Sequence, residues 1–114
     1  MCQPVSGPEF EIKKPIVAWK VVSKEDYRQG PFYETYFVNA WAKKVRPSRS
    51  IYSTQSGYHV FATREQARGF IGKKARWYKN EGEKVLKVLI KGKAIPFDGY
   101  CGKGYAVETW RKHP

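Results

Sequence analysis

One stretch of this sequence carries a clear helix signal, and it lies among segments that favour strands. Thr63 is a good N-cap, and Gln66 three residues later completes a T-x-x-Q capping box. At about 100° per residue, the apolar side chains of residues 64–80 fall on one arc. The opposite arc holds Arg64, Arg68, Arg76 and Lys79. Gly82 supplies a stop signal, so we predict one main amphipathic helix over about residues 64–80.

The other apolar segments are short and rich in β-branched and aromatic residues, which is typical of strands. They are residues 15–22, 31–42, 51–54, 58–61, 85–91 and 104–110. Gly92 and Lys93 indicate a turn after the fifth of them. This order predicts an α+β fold, in which a small mixed or antiparallel sheet is packed by the one main helix.

The domain organisation follows from length and from breaker residues. Residues 1–14 contain Pro4, Gly7 and Pro8 and show little periodicity, so we expect a flexible N-terminal tail. Residues 15–114 have the length of a single domain. Seven side chains are expected to pack between its helix and its sheet: Trp19, Phe61, Phe70, Ile71, Leu86, Val88 and Ile90. Gly69 and Gly72 would allow the helix to approach the sheet closely.

Net charge is the strongest compositional feature of the chain. Lys and Arg number 22 against 10 Asp and Glu, which gives +12. Such a field attracts DNA, RNA, an acidic protein or an anionic membrane surface, although it also serves solubility alone. The longest uninterrupted run of aliphatic residues and Trp, residues 16–19, is far too short to span a membrane. With no secretory signal and with Cys2 and Cys101 interpreted as reduced thiols, we expect a cytoplasmic protein.

A cluster of cations is the best candidate for a binding site. The loop at residues 43–50 holds Lys43, Lys44, Arg46 and Arg49 without an acid, and Tyr52 follows it. Lys and Arg neutralise phosphates, and flat rings stack on unpaired bases. We expect these four cations to form one anion-binding face with Arg64, Arg68, Arg76 and Lys79 of the helix. The alternatives are that the aromatics belong to the core and that the helix cations are merely solvated.

Residues that could carry catalysis or bind a metal are scarce. His59 lies in a predicted strand, where a packed histidine is the simplest interpretation, and His113 lies at the end of the chain. Neither fits a hydrolase triad or a zinc motif. Gly99, Gly102 and Gly104 could cradle a phosphate or form a hairpin, but they do not make a Walker motif. We therefore expect no metal site and no cofactor.

Residues 57–110 resemble a pattern found in small uncharacterised phage and prophage proteins. The pattern is a G-Y-H-V-F strand, a helix that begins A-T-R-E-Q-A, the segment V-L-K-V-L-I-K-G-K and then G-Y-A-V-E. Residues 50–54 also resemble the Ser-Thr-Ser strand of the ADP-ribosyltransferase fold. That fold's Glu-x-Glu pair is missing near Glu108, so we expect no turnover of NAD.

These observations leave three hypotheses for the function. The leading one is a non-enzymatic basic binding protein of phage origin that engages nucleic acid, or a host defence complex that contains nucleic acid. The second is an inhibitor that binds an acidic host protein surface and touches no nucleic acid. The third is an ADP-ribosyltransferase-like enzyme with a nicotinamide-sized pocket near His59 and Tyr52. The sequence leaves the oligomeric state open.

Overall fold

The computed structural model describes residues 4–23, 40–74, 83–99 and 102–114 of the chain. The elements assigned within these ranges are mostly strands. They are β1 (Phe10–Ser23), β2 (Ser48–Arg49), β3 (Thr54–Ser56), β4 (Tyr58–Phe61), α1 (Arg64–Lys74), β5 (Glu83–Gly99) and β6 (Gly102–Lys112). A mainly antiparallel sheet with one helix is thus confirmed, and the helix is the smaller part.

The four longer strands close on themselves into a barrel in the order β1-β4-β6-β5, and each neighbouring pair is antiparallel. Strands β5 and β6 form a hairpin that ends at the pair Gly99–Gly102. Strand β1 runs beside β5 and meets β4 at the pair Trp19–Phe61. The short strands β2 and β3 form a separate hairpin. A closed sheet leaves few unpaired strand edges, which suits described ranges that are mostly strand.

Closure of the sheet divides the apolar side chains into two clusters. We call the larger one the inner core, and it contains Ile12, Ala18, Val22, Ala42, Tyr58, Val60, Leu86, Val88, Ile90, Ala94, Val107 and Trp110. The helix-side core contains Phe61, Ala67, Phe70 and Phe97, with Trp19, Val21 and Val85 packed against it. Alternation along β5 explains the division, because Leu86 and Val88 share one face while Val85 lies on the other.

The predicted core is therefore correct in part. Phe61, Phe70 and Trp19 do pack beneath the helix, and Ile71 is half-buried. Leu86, Val88 and Ile90 are buried, but they pack in the inner core rather than against the helix. The prediction assumed an open sheet with one covered face, whereas a closed sheet has an interior of its own.

The helix begins where its capping signal predicts. The Gln66 backbone N–H donates to Thr63 Oγ1 at 3.2 Å, so Thr63 is the N-cap. The Gln66 side chain does not complete a capping box with Thr63. Its Oε1 instead accepts a hydrogen bond from the Lys103 backbone N–H at 2.9 Å, which ties the first turn of α1 to β6. Residues 75–80 of the predicted helix and residues 31–39 of the predicted strand at 31–42 lie outside the described residues, and residues 40–42 are not in a strand.

The N-terminal segment differs from the expected tail. Strand β1 begins at Phe10, and Pro4 and Val5 form bridges with Ser53 and Phe97. The Val5 and Ser6 N–H groups donate to the carbonyls of Tyr52 and Pro96, both at 3.0 Å. Proline blocks only its own N–H, so the neighbouring residues of a proline-rich segment can still pair along a sheet edge.

Gly92 and Lys93 also differ from prediction, because they lie within β5 rather than in a turn. The register of β5 against β6 shifts between Lys91 and Ala94, which is the signature of a bulge. Gly92 has φ +89°, and a Cβ there would press on the Glu108 side chain. A glycine with positive φ serves a bulge as well as it serves a turn, and sequence alone does not separate the two.

Candidate functional site

The basic loop, residues 43–50, includes the short strand β2 and is held against the barrel by backbone hydrogen bonds. The Ala42 N–H donates to the Trp110 carbonyl at 2.8 Å, and the Val45 N–H donates to the Glu108 carbonyl at 3.0 Å. Strand β4 begins at Tyr58, which pairs with Val107, so the loop takes the place of β4 beside the following residues of β6. The Tyr58 hydroxyl donates to the Lys43 carbonyl at 2.6 Å. These bonds fix the backbone from which the basic side chains project.

The four cations of the basic loop, Lys43, Lys44, Arg46 and Arg49, are all exposed. Lys44 Nζ lies 3.8 Å from Glu108 Oε1, and the Lys44 side chain is 75% exposed, so this ion pair compensates little of the charge. Arg49 donates from Nε to the Ser50 carbonyl at 3.1 Å and from Nη2 to the Ile51 carbonyl at 2.9 Å. Its positive charge is thereby fixed beside the β2–β3 turn.

The β2–β3 hairpin carries a well-bonded turn at its tip. The Ser50 hydroxyl accepts hydrogen bonds from the N–H groups of Tyr52, at 3.3 Å, and Ser53, at 3.1 Å. The Ser50 N–H donates to the Ser53 carbonyl at 2.9 Å. Ile51 and Tyr52 at the tip are 78% and 80% exposed.

The predicted strand at residues 51–54 is therefore wrong, since the strand β3 begins only at Thr54. A serine hydroxyl that bonds nearby backbone N–H groups stabilises a turn in competition with a strand. The resemblance of residues 50–54 to the Ser-Thr-Ser strand of ADP-ribosyltransferases consequently has no matching strand here.

The helix cations lie elsewhere on the barrel. Arg64 and Arg68 are exposed, and helix periodicity places Arg68 on the side of α1 away from Phe70. Arg76 and Lys79 lie outside the described residues. The helix start is joined to β6 at Lys103, whereas the basic loop is joined to β6 at Glu108 and Trp110. At about 3.3 Å per strand residue, these attachment points are roughly 16–23 Å apart. The loop and the helix thus form two basic areas along one strand.

The glycine-rich end of the β5–β6 hairpin has a structural role. A Cβ at Gly104 would collide with the Val60 carbonyl and lie 2.7 Å from the Phe97 ring. Lys103 Nζ lies 3.8 Å from Asp98 Oδ2, so the positive charge of Lys103 already has a carboxylate beside it. Gly104 is needed for close packing, and the predicted alternative of a hairpin fits this segment better than a phosphate cradle.

His59 is a buried structural histidine. Its Nε2 lies 2.8 Å from Thr54 Oγ1, and its ring packs 5.7 Å from the Phe97 ring centroid. Burial, with a smaller contribution from the charge of Lys20, lowers the pKa of His59 from 6.5 to about 3. The ring is therefore neutral at physiological pH and does not act as an acid–base group at a surface.

Lys20 is the buried cation that the sequence interpretation missed. Its side chain is fully buried in the barrel, and Nζ donates to the His59 carbonyl at 3.3 Å. Nζ also lies 5.6 Å from the Tyr58 ring centroid and 5.5 Å from the Trp110 ring centroid. Burial lowers the pKa of the Lys20 amine from 10.5 to about 7. The available signal was the alternation of β1, which places Lys20 on the same face as Ala18 and Val22.

A lysine with a pKa near neutrality is a chemically capable base or nucleophile. Such chemistry requires contact with a substrate, and the complete burial of Lys20 prevents it. Within the four described ranges, no group of three or more His, Cys, Asp or Glu side chains could hold a metal ion. In the same part of the chain, no helix is long and apolar enough to cross a membrane.

Comparison with known proteins gives no relative for this chain. No protein-family profile, curated protein or solved structure matches it.

Proposed function

We propose that this protein is a basic, non-enzymatic binding protein whose partner is nucleic acid, and that the basic loop is its principal contact. The observation that carries the proposal is the exposure of Lys43, Lys44 and Arg46 on a backbone fixed against β6. A fixed backbone concentrates these charges in one place. Lys and Arg in such an arrangement neutralise phosphates and release the counterions condensed on a polyanion.

The surrounding sequence supports a polyanionic partner. From residue 35 to residue 64 the chain contains no Asp or Glu, so the basic loop and the β2–β3 hairpin lie in an acid-free region of the sequence. The second basic area, at Arg64 and Arg68, lies along the same strand. An extended polymer can contact both areas, whereas a small anion can occupy only one.

With the resemblance to small phage proteins, we further propose that binding takes place in the cytoplasm of a host cell. The target there is nucleic acid itself or a host complex that contains it. The second candidate is an acidic host protein. The exposed Ile51 favours it, because protein interfaces typically have apolar side chains at their centre and polar or charged side chains around them.

Two variants with equal loss of charge test the proposal. The loop variant carries Lys43→Ser, Lys44→Ser and Arg46→Ser, and the control variant carries Lys13→Ser, Lys14→Ser and Lys87→Ser. All six residues are exposed, so each variant should retain its folding free energy within about 1–2 kcal/mol. Binding to a labelled oligonucleotide is measured by fluorescence anisotropy over a range of salt concentrations.

The loop variant should bind more weakly to oligonucleotides of any sequence. Its slope of log K against log salt should be shallower by roughly 2–3 units, while the control variant should keep nearly the wild-type slope. An Arg64→Ser, Arg68→Ser variant measures the contribution of the helix. Equal losses of oligonucleotide affinity in the loop and control variants would show that binding depends only on the total charge of the protein. If the wild type binds no oligonucleotide at low salt, the acidic protein becomes the better candidate.

A further inference from the structure

We infer that the tip of the β2–β3 hairpin is a stacking platform for unpaired bases, so that the ligand class is single-stranded nucleic acid. This inference rests on the proposed function and specifies its ligand. It starts from an exposed aromatic: the Tyr52 side chain is 80% exposed, although folding normally buries much of an aromatic ring. An aromatic face is what a stacking contact with a base requires.

The conformation of the tip is already fixed before any ligand binds. The Tyr52 N–H donates to Ser50 Oγ at 3.3 Å, and the Tyr52 carbonyl accepts from the Val5 N–H at 3.0 Å. The backbone on both sides of the ring is therefore bonded, and the hairpin is tied to the N-terminal segment. A ring on a fixed backbone loses little conformational entropy when it stacks, which favours binding.

A fixed cation accompanies the ring. Two of the five N–H donors of Arg49 donate hydrogen bonds to the carbonyls of Ser50 and Ile51. These bonds keep the guanidinium at the hairpin tip. Single-strand binding sites combine stacking rings with cations that follow the phosphate backbone. Arg46 and Lys43 continue the positive charge from the tip toward β6.

Tyr52 differs in this respect from Trp41, the aromatic residue that precedes the basic loop. The Lys91 ammonium lies 4.1 Å from the Trp41 ring centroid, so that ring already has a cation over one face. Tyr52 therefore has the better placement for a base. Duplex DNA conceals the faces of its bases inside the stack and presents only their edges in the grooves. A ring at a hairpin tip can stack on a base only where the base is unpaired.

The test uses the full chain and two labelled probes of about 16 nucleotides, a single-stranded oligothymidine and a mixed-sequence duplex. Tyr52→Ala should weaken binding of the single strand by about 5- to 150-fold, the range for loss of one stacked base. Tyr52→Phe keeps the ring and should bind nearly as the wild type does. Ile51→Ser is the matched control, because Ile51 is equally exposed but has no aromatic face.

The outcomes separate this inference from the proposed function. If single strand and duplex bind equally, or if Tyr52→Ala binds as the wild type does, stacking is refuted while the loop variant still tests the basic loop. If neither probe binds at low salt, the proposed function fails and the inference fails with it. A third outcome is that the protein binds anionic phospholipid vesicles, loses this binding equally in Ile51→Ser and Tyr52→Ala, and shows no preference for the single strand. That result would identify the tip as a membrane contact and overturn the inference.

Discussion

Replacement of Lys20 by methionine should stabilise the protein at neutral and mildly acidic pH and should change how its stability depends on pH. The wild-type amine has a pKa of about 7 in the folded barrel and 10.5 in the unfolded chain. Between these two values the unfolded chain binds more protons, so the free energy of unfolding rises with pH across that window. Below about pH 7 both states are protonated, and the whole cost of the buried charge is present.

The size of this effect follows from the burial of Lys20 and its neighbours. A lowering of the pKa from 10.5 to about 7 corresponds to about 4–5 kcal/mol at about 1.4 kcal/mol per pH unit. Attraction of the ammonium to the Tyr58 and Trp110 rings offsets roughly 1 kcal/mol of it. Methionine fills similar space but leaves the His59 carbonyl without this donor, which costs about 1–2 kcal/mol. The expected net gain is about 1–3 kcal/mol at pH 7 and below.

Urea unfolding of wild type and Lys20→Met from about pH 6 to about pH 10 measures this gain. The difference between the two free energies removes the contributions of groups that titrate in both proteins. It should be largest near pH 6 and should shrink, or change sign, as the pH approaches 10. Lys14→Met, at an exposed position of β1, is the control for the loss of a surface lysine. A variant less stable than the wild type near pH 6, or a difference that does not vary with pH, would refute the reasoning.

Four further substitutions test the packing and the buried histidine. Phe70→Ala should lower stability by about 3–4 kcal/mol, because the ring is buried against Phe61 at 5.3 Å between centroids; an unchanged melting temperature would contradict the helix-side core. Gly104→Ala should destabilise by at least about 2 kcal/mol in thermal unfolding, whereas Gly72→Ala, with nothing within 4 Å, should be neutral or stabilising by up to about 1 kcal/mol. Titration of His59 should cost the wild type about 3 kcal/mol of unfolding free energy between pH 7 and pH 4, because the pKa of His59 is about 3 in the folded protein and 6.5 in the unfolded chain. A His59→Gln variant should lose less stability over the same pH range. Equal losses in the two proteins would show that His59 is accessible to protons in the fold.

Local signals in the sequence predicted local structure well. The Thr63 cap placed the first residue of α1 correctly, because capping depends on atoms a few residues apart. Short segments rich in β-branched and aromatic residues identified β4 and the first half of β5 for the same reason. Gly69 and Gly72 were expected to allow close packing of the helix, but both have open space where a Cβ would lie. A glycine in a helix gives no information about what lies opposite it.

Features that depend on distant parts of the chain could not be predicted. Closure of the barrel requires β1 to meet β4 at Trp19 and Phe61, which lie 42 positions apart in the sequence. The division into two cores follows from that closure. The same limitation applied to the candidate site. Chain order suggested one basic face, but the basic loop and the helix start are bonded to different parts of β6.

Lys20 and the hairpin tip both reverse the usual distribution of side chains, and they differ in what the fold gains from them. Lys20 is a cation in the inner core, and its amine serves the barrel by donating to the His59 carbonyl near the place where β1 meets β4. Ile51 and Tyr52 are apolar or aromatic side chains left almost fully exposed at a turn whose own hydrogen bonds come from Ser50. Their exposed surface contributes no burial to folding. Departures from the usual pattern are expected at strained or functional sites. The burial of Lys20 is explained by its hydrogen bond within the barrel, whereas nothing within the described fold explains the exposure of the Tyr52 ring, which a stacked base would cover.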